Sequence, residues 1–157
     1  MSDYLFRPME PDDEPFVISS WLTSAGKAWD ALRGTLAERF PGVTMGAVAD
    51  VPHRFTRRVV TDIMARPTVK IVVAADLDDP TVIFGFIVAE PGVVHWVHVK
   101  HIMRRQGLAA ALCDAVVPEW RDGVTCTYLG RAWMHFAARW PLRFDPNAGA
   151  SGGRSER

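Results

Sequence analysis

The sequence predicts an α/β protein in the broad sense (α+β): one mixed central sheet with helices on both faces. Three observations predict it. Strand and helix signals alternate in the order strand, helices, three strands, helix, strand, helix, strand. The three middle strands are joined by turns too short for crossovers, so they form an antiparallel meander. The strand–helix–strand unit over residues 93–129 must then be a right-handed parallel crossover.

Tyr4-Leu5-Phe6-Arg7 reads as a short first strand, stopped by Pro8. Asp12-Asp13-Glu14 loads negative charge onto a helix start, where the helix dipole favours it. That helix is expected to run to about Ser24, with Phe16, Ser20 and Trp21 spaced by helical turns. A second helix follows, with Trp29, Leu32 and Leu36 on one stripe, and Pro41-Gly42 ends it. Asp50 and Pro52 open a third helical piece, whose Phe55, Val59 and Ile63 recur every four residues. Arg54, Arg57 and Arg58 fall off that stripe and read as a solvated basic face.

Val69-Lys70-Ile71-Val72-Val73-Ala74-Ala75 is a β-branched run, and Asp76-Leu77-Asp78-Asp79-Pro80 is turn chemistry. Residues 81–89 form the next strand, Pro91-Gly92 the next turn, and residues 93–99 (Val-Val-His-Trp-Val-His-Val) another strand. After a break at Lys100-His101, a helix runs over 107–116 with Leu108, Ala111, Leu112 and Ala115 on one face. Pro118 closes it. Residues 125–129 read as a strand, 131–139 as a helix, and Leu142-Arg143-Phe144 as a closing strand.

The chain has 157 residues, 18 basic and 18 acidic side chains and no net charge, with 48% apolar residues. That suits one domain, residues 1–145, followed by a flexible tail over 146–157 with almost nothing to bury. Zero net charge argues against a general nucleic-acid or anionic-membrane binder, so neither partner is expected. Cys113 and Cys126 are too few for a disulfide scaffold and read as buried reduced thiols. No charged-then-apolar leader opens the sequence, and its longest apolar stretch, 82–99, is broken by Glu90-Pro91-Gly92 and by histidines. A cytoplasmic location is the resulting expectation.

The informative stretch is Val97-His98-Val99-Lys100-His101-Ile102-Met103-Arg104-Arg105-Gln106-Gly107-Leu108-Ala109. It reads as a strand, a basic loop, a glycine, then a helix of small residues. Free N–H groups at a helix start, with the dipole, make an anion site. Gly107 and Ala109 lack bulk, so a pyrophosphate could approach the backbone, with Arg104 and Arg105 beside it. The bland alternative is a helix start with a solvated Arg pair. A P-loop is excluded, because no Gly-Lys-Ser/Thr follows. A dinucleotide fingerprint is excluded by the missing Gly-x-Gly and by the flanking meander.

This stretch resembles the GNAT acetyltransferase superfamily, whose acetyl-CoA signature is Arg/Gln-x-x-Gly-x-Gly/Ala after the fourth strand. Arg104, Gly107 and Ala109 match it, and Val99 stands five residues before the Arg, where the family usually has Val. Leu5-Phe6-Arg7-Pro8 with the acidic residues after it is similar to the family's opening strand and first helix. The likeness covers roughly residues 4–145, with 41–66 longer and less typical. It implies a GNAT-like sheet whose fourth and fifth strands splay apart. The pantetheine arm would lie between them, bonded to backbone near Val97 and Val99. The amides of Arg104, Arg105, Gln106, Gly107, Leu108, Ala109 and Ala110 would hold the pyrophosphate of acetyl-CoA, the co-substrate. An amine would attack the thioester directly, with no acyl-enzyme. The acceptor would be a small-molecule or protein amine, and the protein a monomer or homodimer.

His95, His98 and His101 have metal-like spacing, but strand alternation sends His95 with Val93, Val97 and Val99 and His98 with Trp96. Three ligands cannot converge from opposite faces, so no metal is expected. In one branch of the family a strand histidine nine residues before the signature Arg helps remove the amine proton, and His95 stands there. A neutral imidazole suits that task near pH 7. The alternative is a buried histidine bonded to a neighbour. Many family members protonate the departing thiolate from a helix Tyr; here Phe136 stands near that place. Tyr128, His135 or a water could substitute. Otherwise the chain is a weak or inactive GNAT-fold domain acting by CoA binding or protein contact, a role that exposed tryptophans among its six would suit.

Overall fold

The computed structural model describes residues 4–32, 56–127, 135–136, 138–145 and 148. The expected tail over 146–157 lies outside them, apart from Ala148. Six strands make one mixed sheet in the order of the chain: β1 (Tyr4–Pro8), β2 (Lys70–Asp76), β3 (Ile83–Glu90), β4 (Val93–Val99), β5 (Thr125–Cys126) and β6 (Arg143–Phe144). The pairs from β1 to β4 are antiparallel, and β4–β5 and β5–β6 are parallel. The expected meander and parallel crossover are both present.

The sheet is buried on both faces. On one, α1 (Glu14–Leu32) and α2 (Arg57–Met64) cover Val73, Phe86, Val88 and Trp96 with Val17, Ile18, Trp21, Val60 and Ile63. On the other, α3 (Leu108–Val116) and the short α4 (Trp120–Gly123) cover Ala74, Ile87, Val94 and Val97 with Leu108, Leu112, Cys113 and Trp120. Two-sided burial explains why β3 and β4 read as near-continuous apolar runs. Among the described residues no helix is long and apolar enough to cross a membrane.

Asp13 fixes the start of the first helix. It takes a forked pair of bonds from Arg7 at 2.5 and 3.0 Å and one from the Glu10 amide at 2.8 Å. Arg7 reaches on to the Pro80 carbonyl at 2.8 Å, so one ion pair ties β1, α1 and the β2–β3 turn together.

Several expectations need correction. The break at about Ser24 is absent, and α1 continues to Leu32. Ser24 is accommodated inside the helix because its hydroxyl donates back to the Ser20 carbonyl at 2.6 Å, and Gly26 alone does not stop a helix without a proline behind it. Leu36 lies outside the described residues. The third piece is narrower than its 55–59–63 stripe: Thr56 caps α2 through the Val59 amide, and Val60 and Ile63 are the buried residues. Phe55, Arg54, Asp50 and Pro52 lie outside the described residues, and Arg57 and Arg58 are exposed, as expected. The β2–β3 turn extends to Val82, whose amide bonds the Asp79 carbonyl, so β3 starts at Ile83. Helix α4 had no sequence signal beyond Trp120. Of the expected 131–139 helix, His135 and Phe136 are helical, but Ala138 and Arg139 form a turn, with the Arg139 and Trp140 amides both on the Phe136 carbonyl at 2.9 Å; residues 131–134 and 137 lie outside the described residues.

The simple alternation in β4 also fails. Trp96 pairs with Val88 but Val94 pairs with Ala89, so His95 is the extra residue of a β-bulge. The bulge puts Val94, rather than Val93, in the same core as Val97 and Val99. Trp96 and His98 keep the shared side expected of them: Trp96 bonds Ser24 of α1 at 3.1 Å and His98 lies 5.4 Å from the Phe86 ring.

Gly85 carries a tight constraint. A Cβ there would lie 2.5 Å from the His98 carbonyl oxygen on β4. Gly85→Ala should therefore push the two strands apart and destabilise the fold by about 1–3 kcal/mol, the usual range for overpacking. Urea denaturation measures it as a lowered midpoint at constant m. An unchanged midpoint would show that β3 and β4 yield freely there.

Candidate functional site

The loop after β4 is built by two left-handed residues. Met103 and Arg104 close a 3₁₀ turn over His101–Met103 on the Lys100 and His101 carbonyls. Arg105 then has φ 67 and Gly107 has φ 78. Glycine takes that conformation freely, whereas an arginine there costs roughly 1–2 kcal/mol. Gly107 caps α3, and no side chain caps the helix. The helix ladder begins with the Ala111 amide on the Gly107 carbonyl at 3.0 Å. The amides from Arg105 to Ala110 find no acceptor among the described residues. Space over Gly107 is open: nothing lies within 4 Å of where a Cβ would stand.

The basic side chains around this helix start differ from one another. Arg104 is exposed but folded back, with Nε donating to the Val99 carbonyl at 3.3 Å and a terminal nitrogen 3.3 Å from Nδ1 of His101. Gln106 reaches the Ile102 carbonyl at 3.5 Å, and Arg105 is exposed. Lys100 lies over the Phe16 ring, 5.0 Å from its centre.

Beside the loop, β4 stands between unequal neighbours. It pairs with β3 along its whole length, and Lys100 still donates to the Phe84 carbonyl at 2.8 Å. Among the described residues it pairs with β5 at Val93–Thr125 and Val94–Cys126, followed by the Thr127 amide on the Val94 carbonyl at 3.1 Å. Because Lys100 faces β3, alternation turns the amides of Val97 and Val99 towards the β5 side. Among the described residues nothing pairs with them there.

A polar chain lies beside the described β4–β5 pairs. His95 is 1% exposed. Its Nδ1 lies 2.9 Å from the Thr127 hydroxyl and its Nε2 lies 2.5 Å from Oε2 of Glu90. Glu90 also accepts from Arg66 at 3.1 Å and from the Thr68 hydroxyl at 3.0 Å. Burial pushes the Glu90 carboxyl up. The hydrogen bonds from His95, Thr68 and Arg66 and the charge His95 can carry outweigh it, and the group stays below its ordinary range. Burial pushes His95 down; Glu90 pulls it partly back, and the charge of Arg66 lowers it again. An ionised Glu90 can only accept, so Nε2 of neutral His95 carries the proton and Nδ1 accepts from Thr127.

The other histidines sit in separate surroundings. His98 packs near Phe86 and Phe16, and His101 is exposed beside Arg104. Among the described residues, no three His, Cys, Asp or Glu gather where they could hold one ion. His135 is exposed, 6.0 Å from the ring of Phe136, which is buried among Trp120 and Trp140. Tyr128 lies outside the described residues. Cys113 and Cys126 are buried and free, and burial pushes both thiols up to about 12, which leaves no thiolate near neutral pH.

Sequence reasoning missed Glu90, Thr127, Arg66 and Thr68. Glu90 was visible only as a turn residue. Its signal was its place five residues before His95 across the Pro91-Gly92 turn, where a hairpin returns the chain upon itself.

No family model matches the sequence, and no curated protein is similar to it. Solved structures resemble the chain in outline. A GCN5-related N-acetyltransferase (aminotransferase, class II) from Rhodopseudomonas palustris is 15% identical, with a TM-score of 0.43 over 73% of this chain and 64% of that one. Ard1 from Thermoplasma volcanium is 15% identical, with a TM-score of 0.43 over 95% and 77%. Spermidine N-acetyltransferase from Vibrio cholerae, solved with CoA and spermine, is 10% identical, with a TM-score of 0.41 over 77% and 65%. The chain thus spans just under two thirds of the Rhodopseudomonas and Vibrio proteins. The chemistry of this chain rests on its own geometry.

The site has an acid-sensitive member in His98. Burial, then the charges of Arg104 and Lys100, lower it to about 4. Its folded value lies below the unfolded one, near 6.5, so the unfolded chain takes up the proton first as pH falls. The contribution is whole above about pH 6.5 and is lost down to about 4, at up to ~1.4 kcal/mol per pH unit. His98→Phe should keep the aromatic contacts and remove this loss. Urea midpoints at pH 7.5 and 5 should fall further for the wild type than for the variant; equal falls would mean that His98 titrates normally in the fold.

Proposed function

We propose that the chain is a GNAT-type N-acetyltransferase that transfers an acetyl group from acetyl-CoA to an amine. The observation that carries the reading is the uncapped start of α3, with amides from Arg105 to Ala110 lacking acceptors among the described residues, just after the end of β4. The chain's residues fit CoA there. The open space over Gly107 leaves room for a pyrophosphate against the backbone, and Arg104 and Arg105 supply positive charge. Leu108, Ala109 and Ala110 contribute amides of the first turn, and Gln106 the loop amide before them. Val97 and Val99 offer backbone groups to the pantetheine arm on the β5 side. Bound there, the thioester supplies an activated acyl carbon and a thiolate leaving group.

The chain's own residues then orient the acceptor, exclude water and manage protons. His95 has the tautomer of a proton acceptor at Nδ1. Tyr128, His135 or a water would return a proton to sulfur. The acceptor is an amine, of a small molecule or of a protein, and attack is direct in a ternary complex. Both cysteines are buried thiols, which suits a route without an acyl-enzyme on sulfur.

A second reading, CoA binding without transfer, is favoured by one observation: Phe136, near the place where many family members have Tyr, is buried among tryptophans.

CoA at 100 times its Kd should stabilise the fold by ~2.7 kcal/mol. For a chain of this size that raises the melting temperature by about 5–10 °C. Calorimetric titration should show Gly107→Val losing CoA binding and Arg104→Ala weakening it less, because the phosphates keep their amide donors. Gly107→Val should also lower stability by roughly 1–2 kcal/mol, since its φ disfavours any L side chain. No thermal shift at millimolar CoA, or wild-type binding by both variants, would remove the reading. Turnover with an amine panel separates transfer from binding alone.

A further inference from the structure

We infer that Thr127 receives the proton of the attacking amine and passes its own to Nδ1 of His95, while Glu90, held by Arg66 and Thr68, fixes the ring for that exchange. The inference rests on the acetyl-transfer reading and adds a route to it. His95 is 1% exposed and both of its ring nitrogens are engaged, so an incoming amine cannot touch the ring. Thr127 is the group through which the ring can be reached. It follows Cys126, the last residue of the described β4–β5 ladder, so its hydroxyl stands at the end of that ladder, against Nδ1 of His95. It is 5% exposed, against 1% for the histidine behind it.

The direction of the chain follows from its far end. Arg66, Thr68 and His95 all donate to Glu90, which overdetermines the position of the carboxylate. An ionised carboxylate demands the Nε2 proton, and the Nδ1 lone pair then takes the Thr127 hydroxyl hydrogen. The hydroxyl oxygen keeps lone pairs for an N–H donor on its other side.

The step balances as follows. An N–H bond of the arriving ammonium breaks and its proton joins the Thr127 oxygen, as the Thr127 O–H proton moves to Nδ1. The freed nitrogen lone pair bonds the acyl carbon, the C–S bond breaks, and its electron pair leaves on sulfur. The surplus proton on the new amide nitrogen goes to that sulfur. His95 returns its proton to solvent through Thr127. Thr127 is the catalytic residue and Glu90 a positioning residue.

The charged groups facing His95 are Glu90 from β3 and Arg66 from the segment before β2. Only neutral His95 can accept, so kcat should rise with pH along a limb set by His95, on the acid side of an ordinary histidine. Glu90→Gln removes a group that raises His95 and should move the limb to lower pH. Thr127→Val should lower kcat about 10²-fold, abolish the limb and leave the KM for acetyl-CoA unchanged. Thr127→Ser should restore both. Where Thr127→Val fails to fold, the Ser variant and Glu90→Gln still report through the limb.

A readout without substrate comes from ¹⁵N NMR of histidine-labelled protein: His95 should show a protonated Nε2 and a bare Nδ1. The opposite tautomer overturns the relay. So does a wild type that acetylates a panel of spermine, kanamycin and a lysine peptide while Thr127→Val keeps its rate and limb; transfer then stands without the relay. A wild type that acetylates none of these amines overturns transfer on this panel, and the relay with it.

Discussion

The site depends on one constraint: β4 must satisfy two neighbours of different direction and length. Its antiparallel partner β3 follows it to Val99, and among the described residues its parallel partner β5 is bonded as far as Val94 and the Thr127 amide. The extra residue at His95 lets both be true. It shifts the β3 register by one, returns Val97 and Val99 to the α3 core, and sets an imidazole against Thr127 at the end of the described β4–β5 ladder. Bulges re-aim side chains and end pairing in this way. Gly85 works on the other side of β4, letting β3 come within 2.5 Å of a Cβ position at the His98 carbonyl. β4 is thus pressed against β3 and, among the described residues, released from β5 beyond Val94.

Two electrostatic regions flank that release, and they have opposite logic. At the outer end Lys100, Arg104 and Arg105 gather around unpaired amides, and His98 is kept neutral beside them. A neutral His98 avoids a further buried cation at a place already rich in positive charge, which an anion would offset. At the inner end the one carboxylate is matched: Arg66 supplies its counter-charge, and neutral His95 donates to it. The chain's zero net charge hides this division, because it arises from placement along one strand and not from composition.

Legibility in the sequence followed the range of the interactions. β4 was legible to the residue, because seven β-branched, aromatic and imidazole side chains between Gly92 and Lys100 leave no helical alternative. The start of α3 was legible because Gly107 and the small residues after it are local signals. What failed depended on distant partners. Ser24 read as a stop, since its bond back to Ser20 and its contact with Trp96 appear only in the fold. The bulge leaves no mark in a period-two pattern, so Val93 was assigned the place that Val94 takes. Glu90 read as turn chemistry, and nothing local says that Arg66, 24 residues earlier, will meet it. His95 was visible as a residue type at a meaningful spacing; its partners were not.

The cost of the inner network bears on why it is there. Taking a carboxylate and an imidazole largely out of water is expensive, and well-packed apolar residues of similar volume are often as stable in such places or more so. The apolar surroundings were available, since Ala89 and Val94, either side of the hairpin turn from Glu90 and His95, are fully buried in the α3 core. A histidine held at this cost with one tautomer is a poor device for stability alone. Arg66 and Thr68 orient the carboxylate, the carboxylate orients Nε2, and the ring presents its lone pair to Thr127. From Thr127 through His95 to Glu90 each bond donates in one direction, and Arg66 and Thr68 complete the same carboxylate. That is the order expected of groups arranged to move a proton, whereas groups arranged only to satisfy one another need no common direction.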